Sequence, residues 1–349
     1  MEFKLAFIGF GVVGQGLTQL LLEKKDMLND KYDLNYKIVA ISDIQKGSVY
    51  DENGLDMNQI LGLVKQNKKL DEYPTGKKGM DSISTITQTT ANIIIEVTYT
   101  DVKTGEPALT HITTALNAGK HVISTNKGPV VKQSKKLEEL AASQSVHYGF
   151  EGVVLAGTPV LNLAKYCLAG TTINGFKGIL NGTTNYILTR MEEGMTYEEA
   201  LKKAQELGYA EADPTGDVEG LDALGKVVIL SNVVLGKKLA WTDVKRIGIT
   251  GITSEDIQKA KEQGKRWKLI GRSMIQPDGS IKAEVSPVKL PLNDPLAGVG
   301  EAINALTYYT DSLGPVTIIG PGAGRLETGY SLLIDLININ RKCSTANTS

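Results

Sequence analysis

The chain has 349 residues, 41% of them hydrophobic and 22% charged, with a formal net charge of -1. This is the composition of an ordinary globular protein, long enough for about two domains. It gives no electrostatic basis for nucleic acid or an anionic membrane as partner. No apolar run approaches the roughly 20 residues that span a bilayer. The N-terminus lacks a basic n-region and a small-residue cleavage site, so a cytoplasmic protein is expected.

In chain order, Lys4-Leu5-Ala6-Phe7-Ile8 reads as a buried strand, followed by Gly9-Phe10-Gly11-Val12-Val13-Gly14 and a helix from Gln15 to Lys25. Strand, turn and helix are the context in which Gly-x-Gly-x-x-Gly means dinucleotide binding. Gly9 allows the tight turn, Gly11 lets backbone approach the pyrophosphate, and Gly14 brings helix and strand together. A second strand, Tyr36 to Ser42, ends at Asp43, an acid placed to accept from the adenosine ribose hydroxyls and to repel a 2′-phosphate. NAD is therefore favoured over NADP, although Lys46 nearby can offset the acid and leaves NADP open. Apolar strands at Ile93–Val97 and His121–Ser124 flank a helix from Glu106 to Ala118, and a helix from Ser134 to Ala142 leads to Val146–Phe150. Strands alternating with helices imply a parallel, doubly wound sheet.

Past a hinge-like segment, Glu151 to Pro159, the expected elements are a strand, Ile173–Leu180, and helices near Thr183–Glu192, Thr196–Leu207 and Asp217–Val234. Strands at Trp267–Ile275, Ile281–Leu290 and Val316–Ile319 follow. Such a mixture fits an α+β domain. Cys167 lies in an apolar context and reads as a small buried core residue. Cys343 falls in the polar stretch Lys342 to Ser349, which reads as frayed. Two cysteines are too few for a disulfide framework, and no Cys/His spacing matches a zinc site. His111, His121 and His147 are scattered and read as structural.

The stretch Gly208 to Lys226 concentrates five acids before one lysine, just ahead of the apolar run Val227–Leu230. On a helix, Asp222 and Lys226 lie four apart on one face, a candidate proton-handling pair. Pairs at this spacing are also ordinary surface decoration. Asp217 stands where an N-cap for this helix belongs.

Several segments together resemble homoserine dehydrogenase, in that family's order and across nearly the whole chain. They are Gly9 to Gly14, Ser124-Thr125-Asn126-Lys127-Gly128-Pro129, Phe150-Glu151-Gly152, Ile179-Leu180-Asn181-Gly182-Thr183-Thr184-Asn185-Tyr186-Ile187, Gly208 to Lys226, and Gly320-Pro321-Gly322-Ala323-Gly324. The resemblance implies NAD(P)-linked interconversion of L-homoserine and L-aspartate 4-semialdehyde, in threonine, methionine and isoleucine biosynthesis. It implies a discontinuous Rossmann-type nucleotide-binding domain, residues 1–150 plus 321–349, and an α+β substrate-binding and dimerisation domain, residues 151–320, in a homodimer. By the same resemblance Lys226 is expected to take the proton role with Asp222 beside it, and Lys127 to be the second active-site lysine, facing nicotinamide and substrate. The resemblance further implies that Glu211 binds the substrate ammonium with Asp217 near it, and that Gly182, Thr183 and Tyr209 line the substrate pocket. Cofactor contacts fall to Gly9, Phe10, Gly11, Val12, Val13, Gly14, Asp43, Thr100, Lys127, Gly324, Glu327 and Thr328, the last two preceding a final helix, Gly329 to Asn340. Backbone carbonyls of Glu151, Val154, Ala156 and Thr158 are implied to hold a monovalent cation, sodium in the family. Gly152 stands where the family commonly has alanine. Longer members carry a regulatory domain after the returning helix, and with the chain stopping at Ser349 feedback inhibition through one is not expected.

The nearest other enzyme, aspartate-semialdehyde dehydrogenase, needs a cysteine nucleophile, and Cys167 is in the wrong context for it. The alternative from a different class is a catalytically silent nucleotide-binding or redox-sensing protein of the same fold. Retention of Glu211, Asp222, Lys226 and Lys127 argues against it.

Overall fold

A computed structural model of the chain describes residues 2–346. The backbone divides into two units: residues up to Gly157 together with those from Gly324 onward, and Thr158–Ala323.

The first unit opens with β1 (Glu2–Ile8), α1 (Val12–Glu23), α2 (Lys25–Tyr32), β2 (Asn35–Asp43), β3 (Gly47–Tyr50), α3 (Met57–Lys65), β4 (Lys77–Lys78) and α4 (Ser82–Gln88). It continues with β5 (Ile93–Glu96), α5 (Ala108–Asn117), β6 (His121–Ser124), α6 (Lys127–Ser143) and β7 (Tyr148–Gly149). The strands form one sheet, β4-β3-β2-β1-β5-β6-β7. Pairing is parallel from β2 through β7, and β3 and β4 add antiparallel strands at one edge. Period-two alternation explains why both faces are apolar. Phe3, Leu5 and Phe7 of β1 enter one core, whereas Ala6 and Ile8 enter the other. α6 starts at Lys127 rather than Ser134, because Asn126 caps it by accepting from the Gly128 N–H at 3.2 Å. Non-helical Gln133 (φ -149°) interrupts it, and the part beyond is the helix expected from sequence.

The second unit begins with a short α7 (Val160–Asn162) that runs into a π turn at Leu163–Cys167. Cys167 is exposed there, not buried, because the π turn carries it out of the apolar face that its neighbours suggested. β8 (Ile173–Ile179), α8 (Gly182–Glu192), α9 (Tyr197–Glu206), α10 (Thr215–Val218), α11 (Leu221–Val233), β9 (Lys245–Arg246) and α12 (Ser254–Glu262) follow. β10 (Lys265–Ile275), β11 (Ile281–Pro291), β12 (Ile303–Thr310) and β13 (Gly314–Pro321) complete a sheet of order β13-β12-β8-β10-β11-β9. All its pairings are antiparallel except β11 with β9. The continuous helix expected over Asp217–Val234 is broken. Gly220 adopts the left-handed conformation (φ 76°) and caps α11, so Asp217 is not the N-cap and its side chain is released for other partners.

The chain then returns to the first unit as α13 (Arg325–Ala346). This helix packs closely on α1: a Cβ on Gly16 would stand 2.2 Å from the Arg325 carbonyl oxygen, and one on Gly329 2.6 Å from the Leu17 nitrogen. Leu332, Leu333, Leu336 and Ile337 join the core on that face. The helix is longer at both ends than Gly329–Asn340. Lys342–Ala346 are helical rather than frayed, since half-buried Cys343 packs on the same core. Asn347–Ser349, the rest of that stretch, lie outside the described residues.

Candidate active site

In the first unit the Gly-rich turn lies at the carboxyl ends of β1 and β5, where the strand order switches direction. Gly9 has φ 87°, and a Cβ there would come within 2.6 Å of the Val97 carbonyl oxygen, so the turn is pressed against the end of β5. At Gly11, the N-cap of α1, a Cβ would meet nothing within 4 Å. That open face and the unpaired N–H groups of the first turn suit a phosphate. A Cβ on Gly14 would stand 3.4 Å from the Phe7 and Phe10 rings, so the glycine lets helix approach strand. Phe10 is buried, Val13 packs on the core and Val12 is exposed at the mouth of the turn.

Asp43 does more than terminate β2. Its Oδ2 accepts from the Phe10 N–H at 2.7 Å, and Oδ1 accepts from the Gln45 and Lys46 N–H groups at 2.9 and 2.8 Å. The Lys46 ammonium lies 3.8 Å from Oδ2. The carboxylate thus fixes the Gly-rich turn to the next strand, and its four acceptor positions leave room for a ribose hydroxyl. Thr100 is exposed on the loop after β5, and half-buried Lys127 begins α6 at the carboxyl end of the sheet. Glu327 and Thr328 belong to the first turn of α13 instead of preceding it, and the Thr328 N–H reaches the Gly324 carbonyl at 3.0 Å.

The second unit gathers its polar side chains around the first turn of α8 and one face of α11. Lys226 is 6% exposed, which excludes a surface pair. Its Nζ lies 2.8 Å from Asp222 Oδ2 and donates to the Leu180 carbonyl at 2.6 Å. The Asn181 amide donates to Asp217 Oδ1 at 2.6 Å and to Asp222 Oδ2 at 3.0 Å, so one side chain joins both acids. Asn181 is itself held as the cap of α8, its Oδ1 accepting from the Thr184 N–H at 2.9 Å. Burial raises the Asp217 carboxyl above the usual range and the charge of Asp222 adds to this; the Asn181 amide and the Lys226 ammonium oppose it.

Other residues expected in the substrate pocket fall beside this cluster or apart from it. Thr183 is buried and its hydroxyl donates to the Tyr209 carbonyl at 2.5 Å. Tyr209 keeps its ring about half exposed, with the Tyr186 ring 5.1 Å away. Gly182 starts α8, close to the Ala302 carbonyl. Glu211 is exposed on the turn between α9 and α10, where its carbonyl accepts from Gln205. Asn181 was passed over in the sequence; its signal was its place just ahead of Gly182 and Thr183, where a helix cap belongs.

Of the four carbonyls implied for a cation, three lie on the first unit's loop after β7. Glu151 is buried there, its N–H donating to Asp335 Oδ2 at 2.9 Å. Leu155 and Ala156 both take the left-handed conformation, at φ 54° and 47°. Thr158 opens the second unit, buried, with its hydroxyl on the Pro321 carbonyl at 2.8 Å. Among the described residues no group of three or more His, Cys, Asp or Glu side chains could hold a metal.

A Gly-rich turn at the switch point of a parallel sheet and a buried lysine–carboxylate pair define the class: a nicotinamide-nucleotide-dependent oxidoreductase. Residues 159–337 match the homoserine dehydrogenase family, and residues 3–115 match the glutamate/leucine/phenylalanine/valine dehydrogenase family. The chain is 44% identical to an NAD(+)-dependent homoserine dehydrogenase of Pseudomonas canavaninivorans, over 98% of this chain and 97% of that one. It is 42% identical to a homoserine dehydrogenase of Methanocaldococcus jannaschii, over 96% and 98% of the two chains. A hyperthermophilic archaeal homoserine dehydrogenase solved in complex with NADPH superposes with a TM-score of 0.83 at 26% identity, covering 98% of each chain. The chain belongs to the homoserine dehydrogenase family.

Proposed function

We propose that this enzyme interconverts L-homoserine and L-aspartate 4-semialdehyde, with Lys226 as the proton-handling group. The observation that carries the assignment is the Lys226 ammonium, buried 2.8 Å from Asp222 in a network that Asn181 extends to Asp217. A bound NAD or NADP supplies or accepts the hydride. In its neutral form the Lys226 amine takes the hydroxyl proton in oxidation, becoming the ammonium, and the ammonium returns that proton in reduction, while Asp222 holds the nitrogen in line with the reacting oxygen. Asp217 and Glu211 bind the substrate ammonium. Neutralisation by that ammonium favours the charged form of Asp217, which burial alone disfavours. The Gly182 N–H, the Thr183 hydroxyl and Tyr209 line the amino-acid end.

In the first unit, Gly9 to Gly14 cradle the pyrophosphate and Asp43 takes the adenosine ribose, which favours NAD. Thr100, Gly324, Glu327 and Thr328 are assigned to further cofactor contacts, and Lys127 supplies a cation at the nicotinamide end. The carbonyls of Glu151, Val154, Ala156 and Thr158 are assigned to a monovalent cation, sodium by resemblance. The turn at Leu155 and Ala156 fits this, because two successive non-glycine residues at positive φ cost about 1–3 kcal/mol each and persist where the surroundings require them. Edge strand β13, with Ile319 more than half exposed, supports a homodimer through this unit. Two free cysteines fit a reducing cytoplasm.

Reduction of NAD and of NADP is followed separately with L-homoserine, in wild type and in Asp43→Ala. Homoserine-dependent reduction is expected, with the preference for NAD falling in the variant. No reduction with either cofactor defeats the functional assignment, and an unaltered cofactor ratio defeats the ribose assignment.

A further inference from the structure

Glu96 ends β5 and is fully buried, yet none of the roles above uses it. A carboxylate out of water is costly unless its lone pairs are met. Here they are met by groups from the loop after β5 and from the end of β6. Oε1 accepts from the Thr98 N–H at 3.2 Å and from the Thr98 hydroxyl, while Oε2 accepts from the Ser124 hydroxyl at 3.1 Å. His111 of α5 completes the surroundings, with Nδ1 3.5 Å from Oε1. From Ser124 the chain of bonds continues: its Oγ accepts from the Asn126 N–H at 3.0 Å. The Asn126 amide donates to the Tyr99 carbonyl at 2.9 Å, and its Oδ1 caps α6, on which Lys127 is the first residue. One carboxylate therefore ties the loop after β5 to the loop after β6.

The location of this tie gives it a function. Asp43 sits at the end of β2 and the Gly-rich turn at the end of β1, so a dinucleotide with its adenosine at the first and its pyrophosphate at the second continues over β5 and β6. The Gly9 turn already presses on Val97 and Thr98, the start of the loop that Glu96 holds. We propose that Glu96 is a positioning residue for the nicotinamide half of the cofactor, fixing Thr98–Thr100 and the Lys127 end of α6 in a single arrangement before the cofactor binds. The proposal rests on the nucleotide-binding reading of the first unit. Preorganisation of this kind improves affinity by removing the ordering cost of the two loops.

The test is a fluorescence titration with NADH and NADPH of wild type, Glu96→Ala and Glu96→Gln, alongside KM for cofactor and for L-homoserine. The alanine variant is expected to bind the preferred dinucleotide about tenfold or more weakly, with KM for homoserine within about twofold of wild type. The glutamine variant, whose carbonyl still accepts from Thr98 and whose NH2 donates to the Ser124 hydroxyl in place of accepting from it, is expected to recover most of that loss. A residue serving only to hold the fold together would move both KM values alike or neither. Parallel loss for both substrates, or wild-type dinucleotide affinity in both variants, overturns the proposal. Should the alanine variant not fold, Ser124→Ala removes one arm of the tie, and an unchanged dinucleotide affinity there overturns it equally. Wild type that binds neither dinucleotide would instead overturn the nucleotide-binding reading on which the proposal stands.

Discussion

Two lysines are buried in the second unit, and what faces each sets them apart. Lys226 of α11 contacts a carboxylate, Asp222, and a backbone carbonyl. Lys268 of β10, only 1% exposed, donates to neutral acceptors, the Asn185 amide oxygen at 3.1 Å and the Val299 carbonyl at 2.7 Å. Burial pushes the Lys268 amine down to about 8, the charge of Glu192 opposing and that of Arg266 assisting. Burial in turn raises the Glu192 carboxyl. Asn185 also donates to the Val299, Glu301 and Ile303 carbonyls at 3.2, 3.0 and 3.0 Å, so Lys268 belongs to a clasp on the segment before β12. A buried lysine is thus not by itself a catalytic one. The neighbours of Lys226 lead to a second acid through Asn181, whereas those of Lys268 lead to main chain.

The largest effect expected from this contrast is catalytic. Lys226→Ala should lower kcat/KM for homoserine about 1000-fold, within the range for losing a general acid–base group, and Lys268→Ala should leave it within about tenfold. Comparable losses in both would break the distinction. The next effect is on stability against pH. The Lys268 pKa falls from its ordinary value of 10.5 to about 8 in the folded protein, so between those values the unfolded chain holds more protons. Stability should rise with pH through that window by up to about 3 kcal/mol relative to Lys268→Met, and the full penalty should stand below it. Urea unfolding at about pH 7.5 and about pH 10 measures this, and a constant difference between the two proteins contradicts it. Asp222→Asn should cost about 100-fold in kcat while Tm moves little; wild-type turnover would remove Asp222 from the mechanism. Smallest is Asn185→Ala, expected to lower stability by about 2 kcal/mol by stranding buried carbonyls. A loss under about 0.5 kcal/mol in denaturant titration would show that solvent replaces the clasp.

The sequence was most informative where backbone or helical spacing makes the site. Gly9, Gly11 and Gly14 state their geometry directly, and Asp222 with Lys226 state theirs through a four-residue interval. The alternating strand–helix order likewise conveyed the parallel sheet. Contacts between side chains distant in sequence were not legible. Asn181 reaches acids 36 and 41 positions away, and no local pattern encodes that reach. Lys268 reads as one more polar residue of a strand, and its burial depends on a loop beyond β11. The break at Gly220 was hidden because a single glycine inside a helical pattern is ordinarily tolerated. Short elements such as β3 and β4 pair only with strands already in place, so their own residues carry little signal. Cys167 shows the reverse error: apolar neighbours suggested burial, and a local π turn turned it outward.

The return of α13 to α1 bears on how the molecule is made. Leu332, Leu333, Leu336 and Ile337 cover a face of the first unit that includes Leu17 and Leu21. Everything from Thr158 to Ala323 must be synthesised between that face and its cover. At roughly 5–20 residues per second, the ribosome leaves the apolar side of α1 uncovered for on the order of 15 to 60 seconds. The second unit, contiguous in sequence, is positioned to fold during that wait, so the half of the protein begun first is completed last.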